Sequence, residues 1–269
     1  MKSNLFYDSK RVGRKDDYMN PIVVRNIKIG QGIPKICVPI VEKTEENILR
    51  AAREIVGSPA DLVEWRVDWF ESVFDIEKVK KVAEDLRQVL GNMPLLFTFR
   101  TKNEGGEKKI TFEQYTDILC QVADTNTVDM IDVEVFANEN TREFVTSLKE
   151  KGVVVVGSNH DFTKTPSKDE IVQRLCYMQE VGADISKIAV MPQNAKDVLT
   201  LLCATEEMAS MHPNTPVVTM SMAGLGALSR LSGEVFGSAI TFGALQKASA
   251  PGQIPVKELS EMLKVLHRQ

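Results

Sequence analysis

From residue 34 onward, strand-like and helix-like segments alternate eight times, and that rhythm constrains the fold more than any other feature of the chain. The strand-like stretches are 35–40, 62–68, 95–100, 130–136, 153–160, 185–191, 217–222 and 239–243, most of them short runs rich in Val, Ile, Leu and Phe. Between them apolar residues recur at helical spacing. Ile171, Leu175 and Met178 do so behind Ser167-x-x-Glu170, a capping box, and before Gly182, a helix stop. Thr111-x-x-Gln114 opens another helix, and Leu259, Met262, Leu263 and Leu266 stripe the last one. With no linker or break in composition, this count predicts one α/β domain over residues 19–269, a (β/α)8 or TIM barrel. A doubly wound open sheet is the alternative. Its first turn normally carries a glycine-rich phosphate loop, and Val41-Glu42-Lys43-Thr44 contains no glycine.

Ahead of the alternating region, residues 22–30 form two short apolar runs around Arg25-Asn26 and predict a β-hairpin. Residues 1–18 mix Lys2, Lys10, Arg11, Arg14 and Lys15 with Asp8, Asp16 and Asp17. They lack the apolar core of a signal peptide and read as a flexible N-terminal extension. No apolar run approaches the ~18 residues of a membrane span. The net charge of -4, without a Lys/Arg-rich run, argues against nucleic acid or a membrane surface as partner. Cys37, Cys120, Cys176 and Cys203 are widely spaced, and the chain has 3 histidines, so no metal site is expected and reduced cytoplasmic thiols are the default.

Side chains along a strand alternate between the barrel lumen and the helix layer. In the second strand Val63, Trp65 and Val67 oppose Glu64, Arg66 and Asp68; in the fourth, Ile131, Val133 and Val135 oppose Asp132 and Glu134. In the fifth, Val153 and Val155 oppose Ser158 and His160, and in the sixth Ile188 and Val190 oppose Lys187. The apolar sets suit the helices, so the charged sets point inward. Burying that many charges in one lumen is costly unless they act together, as a salt-bridge network or as an active site. Most stand near the carboxyl ends of their strands, where barrel active sites lie.

Lys187 is the sharpest of these residues. A lysine inside the apolar stretch Asp184-Ile185-Ser186-Lys187-Ile188-Ala189-Val190-Met191 either snorkels to solvent or keeps its amine in a pocket. Desolvation disfavours the ammonium form and makes such an amine a usable nucleophile. His160 is expected on the preceding strand, next to Lys187. An amine beside an imidazole suits imine chemistry on a ketone, with the histidine moving protons and titrating near neutrality. Glu104, in Asn103-Glu104-Gly105-Gly106, could orient the imidazole, as could Asp132 or Glu134.

Five stretches carry a resemblance: Glu64-Trp65-Arg66-Val67-Asp68, Phe97-Thr98-Phe99-Arg100, Ser158-Asn159-His160-Asp161-Phe162, Lys187-Ile188-Ala189-Val190-Met191-Pro192 and Ser249-Ala250-Pro251-Gly252-Gln253. Together and in this order they are similar to type I 3-dehydroquinate dehydratase, from about Pro34 to the last helix. The resemblance implies a barrel with an N-terminal hairpin closing its bottom, a homodimer, and dehydration of 3-dehydroquinate to 3-dehydroshikimate in the shikimate pathway. It implies Lys187 as the imine-forming lysine, His160 as general acid/base and Glu104 as the group orienting His160. Glu64, Arg66 and Arg100 match residues holding substrate hydroxyls, Arg230 the carboxylate-binding arginine, and Ser249 and Gln253 ligands on a loop that folds over the substrate. Pro39 departs from the serine that some members carry, and no contact is expected there. Because the imine is itself the electron sink, the resemblance implies no metal and no organic cofactor.

Two other readings stand beside this one. A class I Schiff-base aldolase also uses a barrel lysine, and Gly224, Gly226 and Gly243 could suit a phosphate. A catalytically inactive barrel that senses a metabolite should have lost Lys187 or His160, and the chain keeps both.

Overall fold

The eight predicted strands are all present in the computed structural model, which describes residues 20–245 and 249–267. The predicted extension over residues 1–18 lies outside them. The hairpin comes first, β1 (Ile22–Val24) and β2 (Ile27–Ile29), paired antiparallel about a turn in which Arg25 takes a left-handed φ of 51°. There follow β3 (Lys35–Ile40), α1 (Glu45–Val56), β4 (Leu62–Arg66), α2 (Ile76–Leu90), β5 (Leu95–Thr98), α3 (Phe112–Ala123), β6 (Met130–Glu134) and α4 (Thr141–Glu150). The second half continues with β7 (Val154–Asp161), α5 (Lys168–Glu180), β8 (Ile185–Val190), α6 (Ala195–Met211) and β9 (Val217–Ser221). It ends with two short helices, α7 (Ala227–Leu231) and α8 (Gly233–Phe236), then β10 (Ile240–Ala244), β11 (Ile254–Pro255) and α9 (Val256–His267).

Strands β3 to β10 lie side by side in chain order, every pair parallel, and β10 returns to pair with β3. Closure on the other side runs through a single bridge between Val217 and Ser238, where Ala239 N donates to Val217 O at 2.8 Å. The result is the expected (β/α)8 barrel. Strand ends differ from expectation by a residue or two. Residues 67 and 68, expected as strand, curl instead with Trp69 into a 3-10 turn in which Asp68 turns back to bind Arg66.

Helix starts follow local chemistry. Thr44, Asp75, Thr111 and Ser167 each accept a backbone N–H three residues on. The Thr111–Gln114 capping box is complete. The Ser167 box is half made, because the Glu170 carboxylate turns to Arg174 instead. At the strand starts, Asp61, Asp129 and Asp184 accept the backbone N–H of Ile36, Leu95 and Val155 on the neighbouring strand, at 2.7, 2.8 and 2.9 Å. These three carboxylates tie the lower rim strand to strand.

The alternation places two cores. Val63, Trp65, Phe97, Ile131, Val133, Val155, Ile188 and Val190 pack under the helices. Inside the barrel, Cys37, Leu62, Leu96, Met130, Val156, Ile185, Val218 and Ile240 fill the lower lumen, and Val24 and Ile29 of the hairpin seal it from below. The hairpin is pinned by Arg25, whose Nε donates to Asp129 Oδ1. Above that floor the inward positions turn polar.

Candidate active site

The strand register carries the charged residues to one level. Lys187 of β8 lies opposite Ser158 of β7, and His160 opposite Ala189, so lysine and histidine project inward from adjacent strands. Lys187 is 4% exposed. Its Nζ donates to Asp132 Oδ2 at 3.1 Å, lies 3.8 Å from Glu64 Oε1, and sits 4.8 Å from the centroid of the Phe242 ring. The amine is therefore held in the lumen by two carboxylates and an aromatic face; it does not snorkel.

Arg100 is the hub of the surrounding network. Its Nη2 donates to Asp132 Oδ1 at 2.7 Å, and its Nη1 to Glu134 Oε1 at 2.9 Å and Ser158 Oγ at 3.1 Å. Burial pushes the Asp132 carboxyl up, but Arg100 and then Lys187 outweigh it and hold Asp132 below the usual carboxylate range. Arg66 lies along Asp68 in a bidentate pair, both bonds 2.8 Å, and Asp68 also accepts the backbone N–H of Arg100 and Glu107. One buried aspartate thus aims Arg66 and anchors the loop that carries Glu104. Glu64 accepts the Thr98 hydroxyl at 2.9 Å.

Of the three carboxylates that could orient His160, the structure chooses Glu104. His160 Nδ1 and Glu104 Oε2 are 2.8 Å apart, while Asp132 and Glu134 are engaged by Lys187, Arg100 and Thr101. Burial, then the charges of Arg100, Lys187 and Arg66, holds the imidazole well below its ordinary value. Burial likewise raises Glu104 to about 8, with Arg100 opposing and Glu134 adding. The near-neutral titration expected of His160 thus moves to its partner. Around pH 7 the pair carries a single proton between Glu104 and Nδ1.

Glu64, Arg66, Arg100, Glu104, His160, Lys187, Ser249 and Gln253 all line one cavity of about 240 Å³, at the carboxyl ends of the strands. That is below the roughly 300–1,000 Å³ of sites for drug-sized ligands, so a compact acid fits more readily than a nucleotide. Phe162, Trp69, Met222 and Phe242 add apolar wall; none of them was given a site role from the sequence, since apolar wall residues look like core. Ser249 and Gln253 bind each other, Gln253 Nε2 to Ser249 Oγ at 2.9 Å and Ser249 N to Gln253 Oε1 at 2.8 Å.

Arg230 stands apart from the other site residues. It does not line the cavity but lies behind the 249–253 loop, with Nη2 donating to Pro251 O at 3.1 Å. It is 2% exposed, and its Nε and Nη1 have no partner among the described residues. Burial lowers it to about 10, so it remains cationic at neutral pH. Unpartnered donors on a buried guanidinium favour an incoming anion. Pro39 is absent from the cavity wall. The glycines that could suit a phosphate are explained by packing in two cases: a Cβ on Gly226 would meet Ser221 O at 1.9 Å, and one on Gly243 would crowd Leu259.

Fold and cluster together define an α/β-barrel protein with a buried lysine–histidine–carboxylate centre. The model of the family "Type I 3-dehydroquinase" matches residues 36–269, and the chain belongs to that family. A 3-dehydroquinate dehydratase of Clostridioides difficile (strain 630) is 53% identical over 248 residues, 92% of this chain and 97% of the relative. One from Listeria innocua is 51% identical over 252 residues, 93% of this chain and all of the relative. Among solved structures, the type I 3-dehydroquinate dehydratase of Clostridium difficile, described with covalently modified comenic acid, superposes with a TM-score of 0.90. It is 52% identical and covers 93% of this chain and 99% of its own. The Geobacillus kaustophilus 3-dehydroquinate dehydratase also gives 0.90, at 38% identity, over 93% and 97% of the two chains.

Proposed function

We propose that the protein is a hydro-lyase that converts 3-dehydroquinate to 3-dehydroshikimate through an imine on Lys187. The observation that carries this reading is the Lys187 amine, held in the barrel lumen and opening on the cavity that His160 also lines. Lys187 gives up an ammonium proton to the His160–Glu104 pair and attacks the ring ketone, and the pair returns that proton to the carbinolamine hydroxyl, which leaves as water. The resulting cationic imine acidifies the adjacent carbon. His160 takes that proton and returns it to the β-hydroxyl as it leaves, so the second water departs with no net gain or loss of protons at the pair. Hydrolysis frees the conjugated ketone and the amine.

Glu64, Arg66 and Arg100 are assigned to the substrate hydroxyls, and Arg230 to its carboxylate. Ser249 and Gln253 would close over it, exchanging their mutual hydrogen bonds for bonds to the ligand. Residues 19–269 act as one domain in this reading. Two copies form a homodimer in the cytoplasm, in keeping with the exposed Leu225, Leu228 and Val235. Light scattering on the purified protein should return twice the chain mass.

Incubation with 3-dehydroquinate should produce an absorbing conjugated enone, without carbon–carbon cleavage. Borohydride added with substrate should inactivate the protein and leave one ligand mass on a peptide containing Lys187. Cleavage products would return the aldolase reading, and label on another lysine would end the assignment of Lys187.

A further inference from the structure

Glu104 occupies an unusual position for a group that must hold a histidine still. It stands on a loop after β5, beside Gly105 with its left-handed φ of 82°, and it lines two cavities at once. One is the site itself. The other, about 410 Å³, lies on the far side, bordered by Thr101, Tyr115, Phe136 and Asn159. A carboxyl group between two open spaces has somewhere else to go, so something must keep it turned toward His160.

Arg100 Nη1, 3.5 Å from Glu104 Oε2, holds one oxygen loosely, and Asn159 supplies the shorter bond that restrains the other. Its Nδ2 donates to Glu104 Oε1 at 3.1 Å, leaving Oε2 for His160 Nδ1. A side-chain amide can flip, and a flipped Asn159 would present its oxygen to the carboxylate and repel it. Arg174 removes that option. Its Nη1 donates to Asn159 Oδ1 at 2.9 Å, and a guanidinium has no acceptor to offer the flipped amide. Arg174 is itself held from α5 by Glu170, one helical turn earlier. We propose that Arg174, acting through Asn159, is a positioning residue for the Glu104–His160 pair. The chain Glu170–Arg174–Asn159–Glu104–His160 then runs from the surface of α5 to the proton-transferring imidazole. Neither Arg174 nor Asn159 touches the reacting atoms.

The inference rests on the proton role proposed for His160, and the test separates the two. Charges facing Glu104 come from Arg100 just after β5, from Glu134 and Asp132 on β6 and from His160 on β7, and Glu107 lines the same cavity. Lys187 and Arg66 face His160. Arg174 reaches the pair only through the amide. Arg174→Met keeps the length and apolar stem of the side chain but loses the donors. It should lower kcat about tenfold with KM little changed, the scale seen when a supporting partner of a functional group is removed. The Asn159 donor holds Glu104 down, so weakening it should move the alkaline limb of the kcat profile to higher pH. Asn159→Leu should do the same more strongly, and Arg174→Lys should recover most of the rate.

If kcat and the alkaline limb are unchanged in both Arg174→Met and Asn159→Leu, the proposal is overturned. It is equally overturned if activity falls only in step with melting temperature while the limb stays in place. If those variants are silent but His160→Ala destroys turnover, the positioning inference fails and the active-site reading stands. Near-normal turnover in His160→Ala would instead remove the reading on which the inference rests.

Discussion

The two halves of the barrel lumen are built from the same strands and obey opposite rules. The lower half is apolar and closed by the hairpin, with Leu62, Leu96, Met130 and Ile185 in one buried cluster. Two residues further along those strands come Glu64, Thr98, Asp132 and Lys187, buried just as deeply. The floor stabilises the fold through burial of apolar surface. The upper level gathers charges that would each cost free energy if left alone, and only their mutual pairing makes them tolerable. The contrast teaches where stability and chemistry divide in this molecule, and it predicts that changes at the two levels fail differently.

The widest separation should come from His160. His160→Ala should lose about 10²–10⁴ in rate per assisted step while melting near the parent temperature. It should still form a covalent adduct through Lys187, and that adduct should accumulate because elimination and hydrolysis both need the imidazole. Intact mass and a melting curve check both halves; a collapse in melting temperature would put His160 with the floor.

Arg230→Ala should come next, raising KM by roughly 2–4 kcal/mol of lost charge-assisted contact, with a much smaller change in kcat. The fold loses one hydrogen bond, to Pro251 O, and a buried stem, so the drop in denaturant midpoint should be small beside the change in KM. A strong loss of stability with KM unchanged would reverse that assignment.

Leu96→Ala, one level below the charges, should show the opposite pattern: about 2–5 kcal/mol of stability lost by chemical denaturation, and kcat close to the parent. A large rate loss there would show that the two levels are not independent.

The smallest effect is a pH dependence of stability. In the unfolded chain Glu104 ionises near 4.5 and His160 near 6.5; in the fold the first is raised to about 8 and the second lowered. From 6.5 to about 8 the unfolded pair has lost both protons while the folded pair keeps one. Stability must therefore fall as pH rises through that window. Glu104→Gln should flatten the fall; melting curves at pH 6.5 and 8 in both proteins decide it.

Much of this was legible before any coordinates. The eightfold rhythm specified the barrel, and two-residue alternation separated lumen from helix face in β4, β6, β7 and β8. Both signals are local, since strand period and helix spacing are properties of a few consecutive residues. The five motifs carry seven of the nine expected site residues and the loop after β5 carries Glu104, and all eight line one cavity.

Contacts between distant segments were beyond any local pattern. That Glu104 and not Asp132 or Glu134 meets His160 depends on how a loop after β5 folds across β7. That Arg230 waits behind Pro251 depends on the return of the chain after β10, and that Arg174 reaches Asn159 depends on how α5 packs on its own strand. The titrations were hidden for the same reason. Sequence names the ionisable groups, but their pKa values come from burial and from charges distant in the chain, as with Arg100, Lys187 and Arg66 around His160, and only the closed barrel supplies both.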